Sequence, residues 1–208
     1  MNRSNKYWNK VAEKYEKSPI SDEVAYQKTL SEMQSYFSTD MKILELGCGT
    51  GTTAINNAPF VKHIDAIDIS ENMIDIGRNK ANKAGVDNIS FSCSALMEFN
   101  ADTHHFDAVL GMHVLHLLPD RQAVLEEIAR IVKPGGVFIS NTACLANSYF
   151  RFAKFILPLA KLLGFMPDVY FISEAELAEE ISNAGFTIEK QQHQGMQNIE
   201  VFMIARKI

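Results

Sequence analysis

The sequence predicts an α/β protein wound around a mostly parallel sheet, and three observations carry that expectation. Short apolar runs at Ile43 to Leu46, Ile64 to Ile67, Ile89 to Phe91, Ala108 to Leu110 and Val137 to Ile139 alternate with helical stretches. Strands this short and continuously apolar belong to a sheet covered on both faces, and helices between them make βαβ units. The boundaries are also punctuated: Ser70 caps a helix over Glu71 to Ala84, Asp120 caps one running to Val132, and Pro134-Gly135-Gly136 turns the chain before a strand.

Taken in order, the chain opens with two helix-like segments, Tyr7 to Glu16 and Val24 to Phe37, separated by the Ser18-Pro19 break. The five strand-like runs and their helices follow. Near the end, "FTIEKQQ" and "IEVFMIARK" flank a turn at Gly195 and read as two successive strands, an antiparallel pair at the sheet edge. Between strand five and that pair lies a greasy insertion, "SYFRFAKFILPLAKLLGF". Arg151, Lys154, Pro158 and Lys161 recur there at three- and four-residue steps, one thin polar stripe on an otherwise apolar helix that Pro158 kinks or splits. It reads as a buried cap helix, as the wall of an apolar pocket, or as a basic amphipathic element at a membrane surface.

Composition narrows the function classes. The 208 residues suit one well-packed domain, with 47% apolar and 22% charged residues, values ordinary for a globular protein. A net charge of −5 and the lack of a basic run make bulk nucleic acid a poor partner. Cys48, Cys93 and Cys144 are odd in number and widely spaced, so they read as reduced thiols of a cytoplasmic protein, and no metal-ligand spacing stands out. No signal peptide is legible in "MNRSNKYWNKVAEKYEKS", and no stretch reads as a membrane span. The sequence does not indicate an oligomeric state.

The chemistry concentrates in "KILELGCGTGTTA", where a strand runs into three glycines at alternate positions. Ligands of a wound sheet collect beyond the carboxyl ends of the strands. Gly47, Gly49 and Gly51 permit positive φ and remove side chains there, so backbone can press against a bound molecule. Downstream, "HIDAIDIS" ends its strand at Asp68, 21 residues after Gly47, where a carboxylate at a neighbouring strand tip accepts from both hydroxyls of a ribose. The spacing G-x-G-x-G leaves Thr52 where a pyrophosphate-binding loop would carry its third glycine, so the pattern indicates adenosine without a pyrophosphate.

With "ILELGCGTG", "IDAIDISENMIDIGR", "FDAVLGMHVLHLLPD" and "RIVKPGGVFIS" in this order, the chain resembles the class I S-adenosylmethionine-dependent methyltransferases, particularly the small-molecule group related to quinone-biosynthesis C-methyltransferases. The resemblance covers Tyr7 to about Ser140 and resumes at "FISEAELAEEISNAGF". It implies a Rossmann-like seven-stranded sheet with an antiparallel last strand, N-terminal helices forming a lid over residues 1–38, and a helical substrate cap over 145–170. It also implies S-adenosyl-L-methionine as cofactor, S-adenosyl-L-homocysteine as product, and a small, apolar or aromatic methyl acceptor.

Carried over residue by residue, the resemblance puts Gly47, Cys48, Gly49 and Gly51 around the cofactor, with Glu45 supporting the loop. Asp68 holds the ribose, Ile69 and Met73 pack on adenine, and Ala95 and Leu96 supply backbone contacts. Ser94 stands where many relatives have an acidic residue, and it makes a weaker contact to the adenine amino group. Tyr7, Trp8 and Tyr15 look like the family's aromatic lid, or else pin a helix to the core. Such a cofactor brings an activated methyl group, so the protein mainly aligns the acceptor, adding a general base if that acceptor is a hydroxyl or an acidic carbon. His113 and His116 are the candidate bases, and His113 also a cofactor contact; packing or backbone contact is their other reading. His104 and His105 read as solvated. A nicotinamide oxidoreductase and a non-catalytic nucleoside-binding module are the rival classes, the first disfavoured by the glycine spacing.

Overall fold

The computed structural model describes residues 3–146, 166–194 and 199–208. Most of the segment expected to form a substrate cap over 145–170 therefore lies outside the described residues, as does the turn at Gly195. The chain begins with α1 (Arg3–Glu16) and α2 (Glu23–Gln34). Then come β1 (Lys42–Leu46), α3 (Thr52–Asn57), β2 (His63–Asp68), α4 (Glu71–Ala84), β3 (Ile89–Cys93), β4 (Phe106–Met112), α5 (Arg121–Ile131) and β5 (Val132–Ala143). It ends with α6 (Glu174–Asn183), β6 (Phe186–Gln194) and β7 (Glu200–Lys207).

The strands form a seven-stranded sheet in the order β3-β2-β1-β4-β5-β7-β6. β1 to β5 run parallel, while β7 lies antiparallel to both β5 and β6. The sequence-derived fold is therefore the observed one. β1 is an interior strand, paired with β2 and β4, and four of its five residues are buried. Alternation along the strands splits the core into two layers. Leu44, Leu46, Val109 and Phe138 pack with Leu125 and Ile128 of α5 and Leu177 and Ile181 of α6. Ile43, Ile64, Leu110 and Ile139 pack on the other face with Leu30 and Met33 of α2 and Ile74 and Ala81 of α4.

The caps behave as their residue types dictate. Ser70 Oγ accepts from Met73 N at 3.2 Å and Asp120 Oδ1 accepts from Ala123 N at 3.2 Å. Ser173 and Glu176 form a reciprocal capping box at α6, which the bidentate Arg121–Glu180 pair ties to α5 at 2.9 and 3.0 Å. One boundary differs from expectation. Pro134-Gly135-Gly136 does not precede β5 but bulges within it: Phe106 pairs with Val132 and Ala108 with Val137, so four residues of β5 are spanned by one of β4. Gly135 takes φ +75°, and a Cβ on Gly136 would lie 2.7 Å from Asp107 O.

α1 is tied across the top of the sheet to the start of α4. Asn9 Oδ1 accepts from Ser70 Oγ at 2.9 Å and from Asn72 N at 3.1 Å, and Asn72 Nδ2 donates to Asn9 O at 2.9 Å. Glu16 pairs with Lys80 at 3.0 Å, and Lys80 also donates to Thr52 Oγ1 at 2.7 Å. Among the described residues no helix is long and apolar enough to cross a membrane.

Candidate functional site

The carboxyl ends of β1, β2 and β3 and the turn after β4 surround a cavity of about 650 Å³ beneath α1. Its base is the glycine loop. All three glycines adopt left-handed φ, +65° at Gly47, +53° at Gly49 and +74° at Gly51, a region costly for residues bearing a Cβ. Gly47 and Gly49 line the cavity, and a Cβ on Gly47 would lie 2.6 Å from Val114 Cγ2. Gly51 has a different duty from the one the sequence suggested. It does not line the cavity; a Cβ there would meet the Phe91 ring at 2.7 and 2.8 Å, and the residue serves as N-cap of α3.

Asp68 lines the cavity at the tip of β2, with its carboxylate plane fixed by backbone. Oδ2 accepts from Gly49 N at 3.0 Å and Oδ1 from Ser70 N at 2.8 Å. Burial raises its pKa, and those N–H groups oppose the rise. The glycine loop and the strand-end acid, separated in sequence, are thus hydrogen-bonded to each other. Ile69, Met73, Ser94, Ala95 and Leu96 continue the wall on the β3 side. Ser94 Oγ donates to Ala95 O at 2.9 Å, so toward a ligand it can act only as an acceptor. Trp8 and Tyr15 of α1 line the cavity from above, packed edge to face with ring centroids 6.3 Å apart. Tyr7 stacks behind Trp8 at 5.2 Å without lining the cavity.

Glu45 and Cys48 are buried beneath the loop rather than exposed in the cavity. Burial, reinforced by Asp68, pushes the Glu45 carboxyl up to about 8. Burial likewise lifts the Cys48 thiol well above its ordinary value, so it is no thiolate. All three cysteines are free.

Neither histidine proposed as a base lines the cavity. His113 adopts φ +55° at the end of β4, donates its N–H to Asn141 O at 2.7 Å, and leaves its side chain half exposed. Its Nε2 lies 3.3 Å from Asn141 Nδ2 and 4.0 Å from Glu200 Oε2, so β5 and β7 hold the ring. His116 is lowered to about 4 by burial and then by His113, and is therefore neutral near pH 7. What faces the cavity from this turn is apolar: Val114, Leu117, Leu118 and Pro119, with Ala123 and Val124 of α5 behind them. Sequence reasoning saw the two histidines of "GMHVLHLLPD" and passed over Val114 between them and the two leucines after them. Met97 and Tyr170 complete the apolar side, and Arg3, Ser4, Asp120 and Asp168 supply polar groups at the rim. The signal that could have found these leucines is apolar residues persisting past a strand end, where a loop would otherwise be polar.

The residues present fit S-adenosylmethionine. Bare backbone at Gly47 and Gly49 makes a cradle that any Cβ would obstruct, the pinned Asp68 carboxylate retains lone pairs for a ribose diol, and Ile69, Met73 and Leu96 offer an apolar slot for a purine. Comparison with known proteins agrees with that assignment. The family described as "Methyltransferase domain" matches residues 43–136, and the chain belongs to the S-adenosylmethionine-dependent methyltransferases. More particularly, it is 32% identical over 168 residues to a demethylmenaquinone methyltransferase of Geobacillus kaustophilus, covering 70% of each chain. It is 27% identical over 173 residues to the Leptospira interrogans enzyme of the same name, covering 76% of this chain and 69% of that one. Among solved structures, magnesium protoporphyrin IX methyltransferase of Synechocystis PCC 6803, bound to S-adenosylhomocysteine, superposes with a TM-score of 0.74. The identity is 17%, over 98% of this chain and 97% of that one.

Proposed function

We propose that this methyltransferase acts on a small apolar or aromatic acceptor of the quinol type, and that the cavity beneath α1 holds both reactants. The observation that carries the reading is the apolar wall of Val114, Leu117, Leu118 and Val124 running on from the glycine loop. A volume of about 650 Å³ lies within the range of small-molecule sites. The names of the Geobacillus and Leptospira relatives point to the same substrate class.

When bound, S-adenosylmethionine supplies a methyl group already activated as an electrophile. The work left to the chain is positioning. Gly47 and Gly49 let backbone approach the methionine and ribose side, Asp68 grips the ribose hydroxyls, and Ile69, Met73, Ser94, Ala95 and Leu96 enclose the adenine. The leucine wall holds an apolar ring against the methyl group and keeps water from the reaction, as in-line transfer over about 3–3.5 Å requires. No histidine is needed for that alignment, and the neutral, buried His116 packs the turn that carries the wall.

α1 serves as the lid, with Trp8 and Tyr15 above the ligand and Asn9 as its latch onto Ser70 and Asn72. Asn9→Ala removes the two hydrogen bonds that its Oδ1 accepts outside the cavity, from Ser70 Oγ and Asn72 N, each worth about 1 kcal/mol. It should weaken S-adenosylhomocysteine binding by roughly tenfold and speed proteolytic cleavage within α1, read by calorimetry and limited proteolysis.

The acceptor is tested by following transfer of a labelled methyl group to demethylated quinols, other phenols and polar acceptors of similar size. Preferential labelling of the apolar aromatic acceptors is expected. Labelling of polar acceptors alone would remove the substrate assignment while leaving the cofactor assignment intact.

A further inference from the structure

The outer face of α1 carries charge of one sign. Arg3, Lys6, Lys10, Lys14 and Lys17 follow one another at steps of three and four, so on a helix of 3.6 residues per turn they fall on one stripe, about 21 Å from end to end. Lys17 stays in the same spiral because its N donates to Glu13 O at 3.3 Å. All five are exposed, on the side opposite the buried Ala12. Among the described residues none of the five forms an ion pair, whereas Glu16, turned inward, is matched by Lys80 at 3.0 Å. Residues 3–17 hold five of the chain's 20 lysines and arginines and two of its 25 acids, which makes this stretch +3 in a chain of −5. The remaining acids up to the first turn of α2 are Glu13, on the flank of the stripe, and Asp22 and Glu23, of which Asp22 caps α2 by accepting from Ala25 N at 2.9 Å.

The stripe begins at an apolar entrance. Arg3 is exposed and also lines the cavity, and Met97, 60% exposed, lines the same cavity. Beyond Lys17 the chain presents Ile20 and Val24, 42% and 81% exposed. Unpaired cations next to exposed apolar side chains match a surface that is negative outside and apolar beneath. Nucleic acid offers the charge and nothing for the apolar groups.

We propose that α1 docks by this stripe on a bilayer that contains anionic lipid, with the cavity mouth at Arg3 and Met97 beside the membrane. The inference rests on the apolar acceptor proposed for the cavity: a ring compound of low solubility concentrates in lipid, and docking the lid there brings the entrance to its source. The helix then works on both faces. Trp8 and Tyr15 cover the ligand, and the lysines hold the enzyme where the acceptor is.

The test is co-sedimentation of the full chain with vesicles of equal parts phosphatidylcholine and phosphatidylglycerol, and with vesicles of phosphatidylcholine alone. Binding to the mixed vesicles only, weakened by rising salt, is expected. Each cation close to an anionic bilayer strengthens binding about fivefold, so Lys6→Gln/Lys10→Gln should weaken it about 25-fold. Lys62→Gln/Lys83→Gln removes the same charge from exposed lysines elsewhere and should leave vesicle binding nearly unchanged. None of these four lysines lines the cavity, so both variants should keep wild-type affinity for S-adenosylhomocysteine, which also reports that they are folded. No binding to the mixed vesicles, equal binding to both kinds, equal weakening by the two double variants, or binding to a DNA duplex in place of vesicles overturns the proposal. Vesicle binding through the stripe together with methylation of polar acceptors alone supports the docking surface and defeats the acceptor reading instead.

Discussion

Asp68→Ala is expected to weaken S-adenosylmethionine binding about 100-fold. Hydrogen bonds to a charged group contribute roughly 1.5–3 kcal/mol each, and in the proposed complex two ribose hydroxyls share this carboxylate, so a loss near 3 kcal/mol is the central expectation. The damage extends beyond ligand contact. Gly49 N and Ser70 N, which donate to Oδ2 and Oδ1, lose their acceptors, so the glycine loop and the first turn of α4 loosen together. Asp68→Asn disturbs both as well. It keeps the size but presents an NH₂ to one of those backbone donors, so it should also bind poorly. Affinity measured by calorimetry decides the matter, and an unchanged dissociation constant for the alanine variant would remove the ribose assignment.

Gly51→Ala should cost about 3 kcal/mol of stability, whereas Gly49→Ala should cost about 1. Both residues have left-handed φ, which a Cβ penalises by roughly 1–2 kcal/mol. At Gly51 the new methyl also runs into the Phe91 ring at 2.7 and 2.8 Å and comes within 3.4 Å of the Gly77 Cα of α4. Overpacking of this kind adds about 1–3 kcal/mol. At Gly49 the nearest atom, Tyr15 Cε1, is 3.8 Å away, so the methyl enters the ligand cavity at little structural cost. The two variants should therefore exchange rank between assays: Gly51→Ala is worse in denaturant unfolding and Gly49→Ala worse in cofactor binding per unit of stability lost. At 208 residues, each kcal/mol corresponds to roughly 2–4 °C in melting temperature. Equal destabilisation by the two substitutions would sink this division of labour.

The contrast between those glycines shows how far the sequence could be read. Three glycines at alternate positions after a strand state that backbone must turn with positive φ, because that conformational demand is local. Which of the three faces ligand and which faces Phe91 depends on where β3 and α4 place a ring and a helix, and neither position is encoded near residue 51. The two histidines teach the same lesson. Their chemistry made them natural bases, yet β5 and β7 hold His113 through Asn141 and Glu200, and burial keeps His116 neutral. The apolar residues beside them face the cavity instead.

Local pattern alone settled the strands and their succession, the caps at Ser70 and Asp120, the glycine loop and the placing of Asp68 at a strand tip, since each rests on the periodicity or backbone preference of a few neighbouring residues. Tertiary structure alone decided the hydrogen bond between Gly49 and Asp68, the latch of Asn9 on α4, the leucine wall and the burial of Glu45. These arise where segments distant in the chain share a low-dielectric space, and the distances and burial in that space, rather than residue type, set what each group does.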